Sequence, residues 1–285
     1  MFLPGQALSF PVAQRIPRSL RFSVLVVCSV LYALGAYATG WIVSPWGRGQ
    51  FRPAVAIPAA FALIDPLAAS AGAALGTLIA DSWKHGTLYL PSLLAAVPGN
   101  FIGFYVFGLL LKRRSTWSGF ILASLVAMAL GNFIVAFLYV PVIVLLGIIP
   151  PLPPEPLLLL ATGLWVWFFA TEYPFLLVFI PPVAKALAAS LPSITYFKPG
   201  PLTLEEGKRL ATIQFLAALL LAVASIAVLF TPAGQSLARG LSVRLGATAS
   251  LNALAVTGAL LFASAAILSA SGTASYMLAT RRRLS

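Results

Sequence analysis

The residues of this chain that could do chemistry are few, and they form no recognisable catalytic set. The sequence holds a single histidine and a single cysteine among its 285 residues. His85 would need a second ligand or a base nearby, and Cys28 can form neither an intrachain disulfide nor a metal cluster. No nucleophile elbow, zinc-protease motif or phosphate-binding loop occurs. We therefore expect that the chain is not an enzyme and that it uses no cofactor and no metal.

Three of the six acidic residues lie in or beside apolar runs. An ionisable group within a membrane span is costly, so it is a functional hypothesis by default. Asp65 directly precedes Pro66, which favours a simpler role as the cap of a helix. Asp81 ends the same apolar run, where a structural ion pair and a functional role are equally open. Glu172 falls well inside a run, so it must find a partner or a cavity.

Other candidates are amide and aromatic side chains in the middle or the outer half of apolar runs. Asn100 and Asn132 either bond neighbouring helices or line a cavity. Aromatic rings near a membrane surface are most often anchors, but rings that converge on a pocket can stack on a flat solute or a cation. The predicted substrate-binding residues are Trp46, Arg48, Arg52, Tyr89, Asn100, Asn132, Tyr139, Trp165 and Glu172.

The composition places these candidates in a membrane. Sixty per cent of the residues are hydrophobic and only 8% are charged, with a mean hydropathy of +0.99, which excludes an ordinary soluble domain. Several runs reach the roughly 20 residues that cross a bilayer as a helix. The net charge of +12 comes from basic residues at the ends of these runs, where they orient spans. We therefore expect a lipid bilayer as the surroundings and no nucleic-acid partner.

The apolar runs predict eight hydrophobic segments, at about 22–43, 53–64, 66–83, 88–111, 118–149, 157–183, 209–230 and 249–279. A break at Asp65-Pro66 turns residues 53–83 into two short helices, which either cross twice or form a re-entrant hairpin. With this break, thirteen of the 18 Lys and Arg residues share one side and five lie on the other. Cytoplasmic loops gather Lys and Arg, so we predict a multi-pass protein of the cell membrane with both termini in the cytoplasm.

Two stripes of small residues predict close packing between helices. The stripe in the third run consists of Ala68, Gly72, Gly76 and Ala80. The stripe in the first run consists of Ser29, Ala33, Ala36 and Gly40. Small residues four positions apart let another helix approach closely in lipid. For the first-run stripe, internal packing and docking of a partner are equally open.

The segment Phe61–Asp81 resembles the "FGPxxGAxxGxxGD" region of S components, the substrate-binding subunits of energy-coupling factor (ECF) transporters. The matching positions are Pro66, Ala68, Gly72, Gly76 and Asp81. Asp65 stands where the family usually has Gly. Pro91 and the run Val97–Gly103 are similar to the family's fourth span. The resemblance covers about residues 20–187, and two further hydrophobic segments follow it.

The resemblance implies a six-helix bundle that binds a vitamin-like or heterocyclic solute in a pocket facing outward. The first external loop and the outer halves of spans four to six would form that pocket. The resemblance also implies a separate transmembrane coupling subunit and two ATPase subunits. The small residues of the first span would be the surface that docks on the coupling subunit.

We therefore expect an all-α polytopic membrane protein, a six-helix S-component-like bundle with two additional C-terminal transmembrane helices. The expected parts are a cytoplasmic N-terminal segment (1–21), the membrane domain (22–187), a cytoplasmic linker (188–208) and a two-helix extension (209–285). Thr203 and Glu206 have capping-box spacing and should start the seventh span. Two other functions stay open: a self-sufficient secondary transporter or channel with Glu172 on its path, and a structural subunit of a membrane complex.

Overall fold

The computed structural model describes residues 16–44, 48–151, 153–198, 200, 202–232 and 251–281. In this part of the chain the helices are α1 (Arg18–Thr39), α2 (Ala56–Ala62), α3 (Pro66–His85), α4 (Val97–Arg113), α5 (Trp117–Leu145), α6 (Pro154–Ser190), α7 (Leu204–Phe230) and α8 (Leu251–Arg281). A 3₁₀ turn (Pro53–Val55) precedes α2, and a π-helical turn (Ser92–Ala96) precedes α4. Among the described residues, six helical stretches are long and apolar enough to cross a membrane. The chain is thus an all-α, multi-pass membrane protein.

The chain reverses direction at Asp65, between α2 and α3. One carboxylate oxygen of Asp65 accepts hydrogen bonds from the backbone N–H groups of Leu67 and Ala68, at 3.0 and 3.2 Å. This geometry confirms the predicted capping role. The other oxygen lies 2.7 Å from Nε of Arg21, on the first turn of α1. Pro66 takes the first helical position, where its missing N–H group costs no hydrogen bond.

Contacts around this turn define one end of the bundle, which we call the Arg21 end. The hydroxyl of Tyr196, in the linker between α6 and α7, donates to the carbonyl oxygens of Ala62 and Gly108, at 2.7 and 3.2 Å. Burial raises the pKa of this hydroxyl, which keeps it protonated as a donor. Lys112 lies over the Tyr196 ring, 5.2 Å from its centroid. The start of α1, the α2–α3 turn, the end of α4 and the linker therefore share this end.

The opposite end of the bundle, the Lys84 end, holds the last turn of α3. Lys84 donates a hydrogen bond to the carbonyl of Gly40, directly after α1, and lies 4.9 Å from the centroid of the Trp41 ring. Helices α1 and α3 are therefore parallel, and residues 53–64 carry the chain back between them. The seven-residue α2 makes this return, whereas α3 has 20 residues. Residues 53–83 thus form two helices that are separated at Asp65, as the sequence predicted, the first of seven residues and the second of 20.

The two stripes of small residues bring α1 and α3 close together. A Cβ atom at Gly76 would lie 2.7 Å from the carbonyl oxygen of Ser29, and one at Gly72 would lie 2.8 Å from Cβ of Cys28. The stripe residues that are buried in the bundle are Ser29, Ala33, Ala36, Gly40, Ala68, Gly72, Gly76 and Ala80. The first-run stripe is therefore used for internal packing here, and it does not form an exposed docking surface.

Helices α7 and α8 pack along each other as a C-terminal hairpin. Oγ1 of Thr203 accepts a hydrogen bond from the backbone N–H of Glu206 at 3.2 Å, and the Glu206 carboxylate accepts one from the Thr203 N–H at 3.4 Å. The capping box predicted at the start of this helix is therefore confirmed. Between the helices, Nε2 of Gln214 donates to Oγ of Ser271 at 3.0 Å. Helix α6 ends at Ser190, close to the start of the linker expected from the sequence.

Gly76→Val should destabilise the protein, because a side chain at this position would collide with the Ser29 carbonyl oxygen. Overpacking of this kind costs about 1–3 kcal/mol. We expect a lower midpoint of thermal unfolding in detergent, followed by circular dichroism. Leu75→Val is the matched control, since Leu75 is exposed on the same helix and receives the same β-branched side chain. Equal shifts in the two variants would contradict the close α1–α3 contact.

Candidate functional site

A polar cavity lies at the Lys84 end, between the loop that follows α1 and helices α3 to α6. Its volume is about 110 Å³. The charged residues that line it are Arg48, Arg52, Asp81, Lys84 and Glu172. The other polar residues that line it are Gln50, His85, Tyr89, Ser92, Asn100, Asn132 and Tyr139. A cavity with this many polar groups inside an otherwise apolar bundle is the leading candidate for a binding site.

A buried ion pair between Arg52 and Asp81 forms one wall of the cavity. Nη2 of Arg52 lies 2.9 and 3.0 Å from the two carboxylate oxygens of Asp81. The same guanidinium donates to Oγ1 of Thr77 at 2.7 Å and to Oε1 of Gln50 at 3.3 Å. Buried charges are tolerated only with such partners. Of the two roles considered for Asp81, the structure shows the ion pair. This pair connects the loop that follows α1 to helix α3.

Glu172 projects from α6 into the same cavity and is only 5% exposed. Among the described residues it makes no salt bridge. The charge of Arg52 and the amide of the neighbouring Asn132 act on its carboxyl group, but the guanidinium of Arg52 is already paired with Asp81. The carboxyl group of Glu172 is therefore available to a molecule in the cavity.

Four side chains that line the cavity carry a buried polar atom with no hydrogen-bond partner in the described part of the chain. These atoms are Nε of Arg52, Oγ of Ser92, Nδ2 of Asn100 and Nδ2 of Asn132. Each such atom costs about 1–3 kcal/mol, and native structures contain few of them. Their concentration around one cavity is what a site for a polar molecule requires.

The π-helical turn before α4 carries part of this set. Ser92 begins the turn, and Ala96 and Asn100 follow at intervals of four residues. All three line the cavity, because residues four apart lie on one face of a helix. Single π-helical turns are rare and occur frequently at functional sites. The local geometry of this segment thus presents a hydroxyl and an amide to the cavity.

Aromatic rings form the rim of the cavity. The hydroxyl oxygens of Tyr89 and Tyr139 lie 3.1 Å apart, which links α5 to the segment before α4. The His85 ring stacks on Tyr89 with a centroid distance of 3.8 Å and an interplanar angle of 6°. Nδ1 of His85 lies 2.7 Å from the carbonyl oxygen of Asp81. The rim therefore offers flat surfaces to an entering molecule.

The structure brings most of the predicted substrate-binding residues together. Those that line the cavity are Arg48, Arg52, Tyr89, Asn100, Asn132, Tyr139 and Glu172. Trp46 lies outside the described residues. Trp165 does not line the cavity. Its indole N–H donates to the carbonyl of Ala129 at 2.9 Å, and its ring lines an apolar groove of about 550 Å³ between α5, α6 and α7.

Several residues that line the cavity were not among the predicted substrate-binding residues. For two of them, the helical spacing from a predicted residue indicates the position. Ser92 stands eight residues before Asn100, and Phe168 stands four residues before Glu172. A search one or two helical turns from each predicted residue would have found both. Gln50 sits in a loop, so no such periodicity applies to it.

No family model, no curated protein and no solved structure matches this chain. Among the described residues, no group of three His, Cys, Asp or Glu side chains could hold a metal ion. The function of the cavity must therefore be inferred from the charge, the hydrogen-bonding groups and the size of the cavity itself.

Asp81→Asn should strongly destabilise the protein, because it leaves the buried Arg52 charge without its counter-ion. Loss of one partner of a buried pair costs about 3–5 kcal/mol. The expected result is a large fall in the midpoint of thermal unfolding in detergent. The double variant Arg52→Met/Asp81→Leu, which buries no charge, should recover much of the loss.

Glu205→Gln is the control for this prediction, because its pair with Lys208 is exposed and 3.8 Å long. Surface pairs of this kind contribute only about 0–1 kcal/mol. If Asp81→Asn and Glu205→Gln had equally small effects, the ion pair would not have the structural role described here.

Proposed function

We propose that this chain captures a small solute from outside the cell as the substrate-binding subunit of an ECF-type importer. Separate coupling and ATPase subunits would then drive uptake. The observation that carries the proposal is the polar cavity at the Lys84 end, with its four unpartnered polar atoms. The basic residues predict that the Arg21 end faces the cytoplasm, so the cavity would open to the exterior.

The packing beneath the cavity supports capture rather than an open pore. Towards the Arg21 end, the residues that follow Asn100 on α4 include Phe104 and Phe107, which are fully buried in the apolar core. On α5, Met128 lies one turn from Asn132 on the same side and is also buried in that core. The polar cavity at the Lys84 end therefore lies above a packed apolar core. Such an arrangement can hold a solute until the helices change their positions.

ATP-driven uptake would need partners, since the sequence contains no phosphate-binding loop. The first-run stripe of small residues is buried within the chain. The coupling subunit of this proposal would therefore dock on another surface of the bundle.

A self-sufficient secondary transporter is the second candidate, and Glu172 is the observation that favours it. A buried carboxyl group that lines a cavity and has no salt bridge in the described part of the chain is a typical coupling site for protons. Uptake into liposomes that hold only this protein, driven by a proton gradient, would favour this function over the ECF-type importer.

Native mass spectrometry of the full-length protein, purified from its own membranes, tests solute capture directly. We expect a small-molecule adduct on the wild-type protein and its loss in Asn132→Leu, which removes an amide from the cavity. Trp165→Phe is the control, because this side chain lies outside the cavity, and it should keep the adduct. Absence of any adduct, or its retention in Asn132→Leu, would count against the cavity as the binding site.

A further inference from the structure

The charges around the cavity indicate that its occupant is neutral. Three cations (Arg48, Arg52 and Lys84) and two carboxyl groups (Asp81 and Glu172) line the cavity. Arg52 and Asp81 neutralise each other, and the Lys84 ammonium is bound to the Gly40 carbonyl and lies over the Trp41 ring. The remaining groups are Arg48 and Glu172, so a cationic solute would meet Arg48 and an anionic solute would meet Glu172. Neither a cationic nor an anionic solute is therefore favoured. An uncharged polar solute avoids electrostatic repulsion from either group.

The hydrogen-bonding groups indicate which polar atoms the occupant carries. Nε of Arg52 can only donate, so it needs an acceptor from the occupant. The side chains of Asn100 and Asn132 each present a donor and an acceptor side by side. The carboxyl group of Glu172 accepts on at least one oxygen in either protonation state, so it needs a donor. The occupant should therefore carry an N–H donor next to a carbonyl acceptor.

The size and the walls of the cavity indicate a single flat ring. A cavity of about 150 Å³ in another protein holds one benzene molecule, and the volume here is about 110 Å³. The stacked rings of His85 and Tyr89 at the rim are flat. A bulky or branched solute would not fit without movement of the helices.

We infer that the cavity binds an uncharged single-ring lactam or cyclic ureide, a solute whose ring contains an N–H group beside a C=O group. The ring N–H donates to Glu172, and the carbonyl, which has two lone pairs, accepts from Nε of Arg52 and Nδ2 of Asn132. This inference rests on the proposed solute capture and names the chemical class of the solute.

Calorimetric titration of the full-length protein in detergent tests the inference with defined probes. Uracil and 2-pyridone carry the N–H and C=O edge, and both should bind. The matched pair is 3-methyl-2-pyridone and its isomer N-methyl-2-pyridone, which have equal size but differ in the ring N–H. We expect the isomer without the N–H to bind at least tenfold more weakly.

Variants link this preference to the cavity. Glu172→Leu should weaken the binding of uracil at least tenfold and should abolish the difference between the two isomers. Asn132→Leu, which leaves the carboxyl group in place, provides a second variant if Glu172→Leu does not fold. Glu205→Gln, on the exposed first turn of α7, should bind uracil as the wild type does.

The outcomes separate the inference from the proposed function. If a solute co-purifies with the wild-type protein but has no N–H and C=O edge, the inference is wrong and solute capture stands. Equal binding of the two isomers, or no binding of uracil and 2-pyridone, would also overturn the inference. If no solute co-purifies and no probe binds, both fail.

Discussion

The ion pair between Arg52 and Asp81 is the interaction on which the candidate site depends. It joins the loop that follows α1 to the C-terminal part of α3, at the level where the short return segment 53–64 begins. Without this pair, a guanidinium would be buried among apolar helices at a cost of several kcal/mol. With it, the loop is held over the bundle, and the other polar residues can line a cavity beneath it.

The turn at Asp65 makes this pairing possible. Because the chain reverses there, α1 and α3 run parallel, and α3 returns to the Lys84 end, where Asp81 lies beside Arg52. Asp65 stabilises the turn twice, as the cap of α3 and as the partner of Arg21. The small residues of α1 and α3 then allow the two helices to pack without intervening side chains. Ion pairs therefore lie near both ends of α3, at Asp65 and Asp81, and the close packing against α1 lies between them.

Much of this arrangement could be predicted from the sequence, because short residue patterns with strong structural preferences determine it. Asp65-Pro66 combines a cap with a residue that favours the first helical position, and Thr203 and Glu206 have a spacing that is typical of a helix start. Polar residues such as Asn132 and Glu172 stand out in apolar runs, since lipid penalises them. Whether these residues converge on one cavity depends on how each helix is rotated about its axis. The hydrophobic periodicity of the sequence alone does not determine that rotation.

The remaining predictions differ from the structure at residues for which the local sequence allows two placements equally well. Contacts between helices decide which placement is adopted. Trp165 has the composition and depth of a pocket residue, but the rotation of α6 turns it towards a groove of α5 and α7. Ser29 and its stripe suit either an internal or an external partner, and the chain supplies the internal one in α3. The proposed capture of a solute from outside requires the Lys84 end, which holds the cavity, to face the exterior. Cysteine labelling tests that orientation most directly, with Cys28 replaced by Ser and single cysteines at the exposed positions Thr87 and Arg113. In intact cells, a membrane-impermeant maleimide should react at position 87 and not at 113, whereas reaction at 113 alone would turn the cavity towards the cytoplasm and contradict capture from outside.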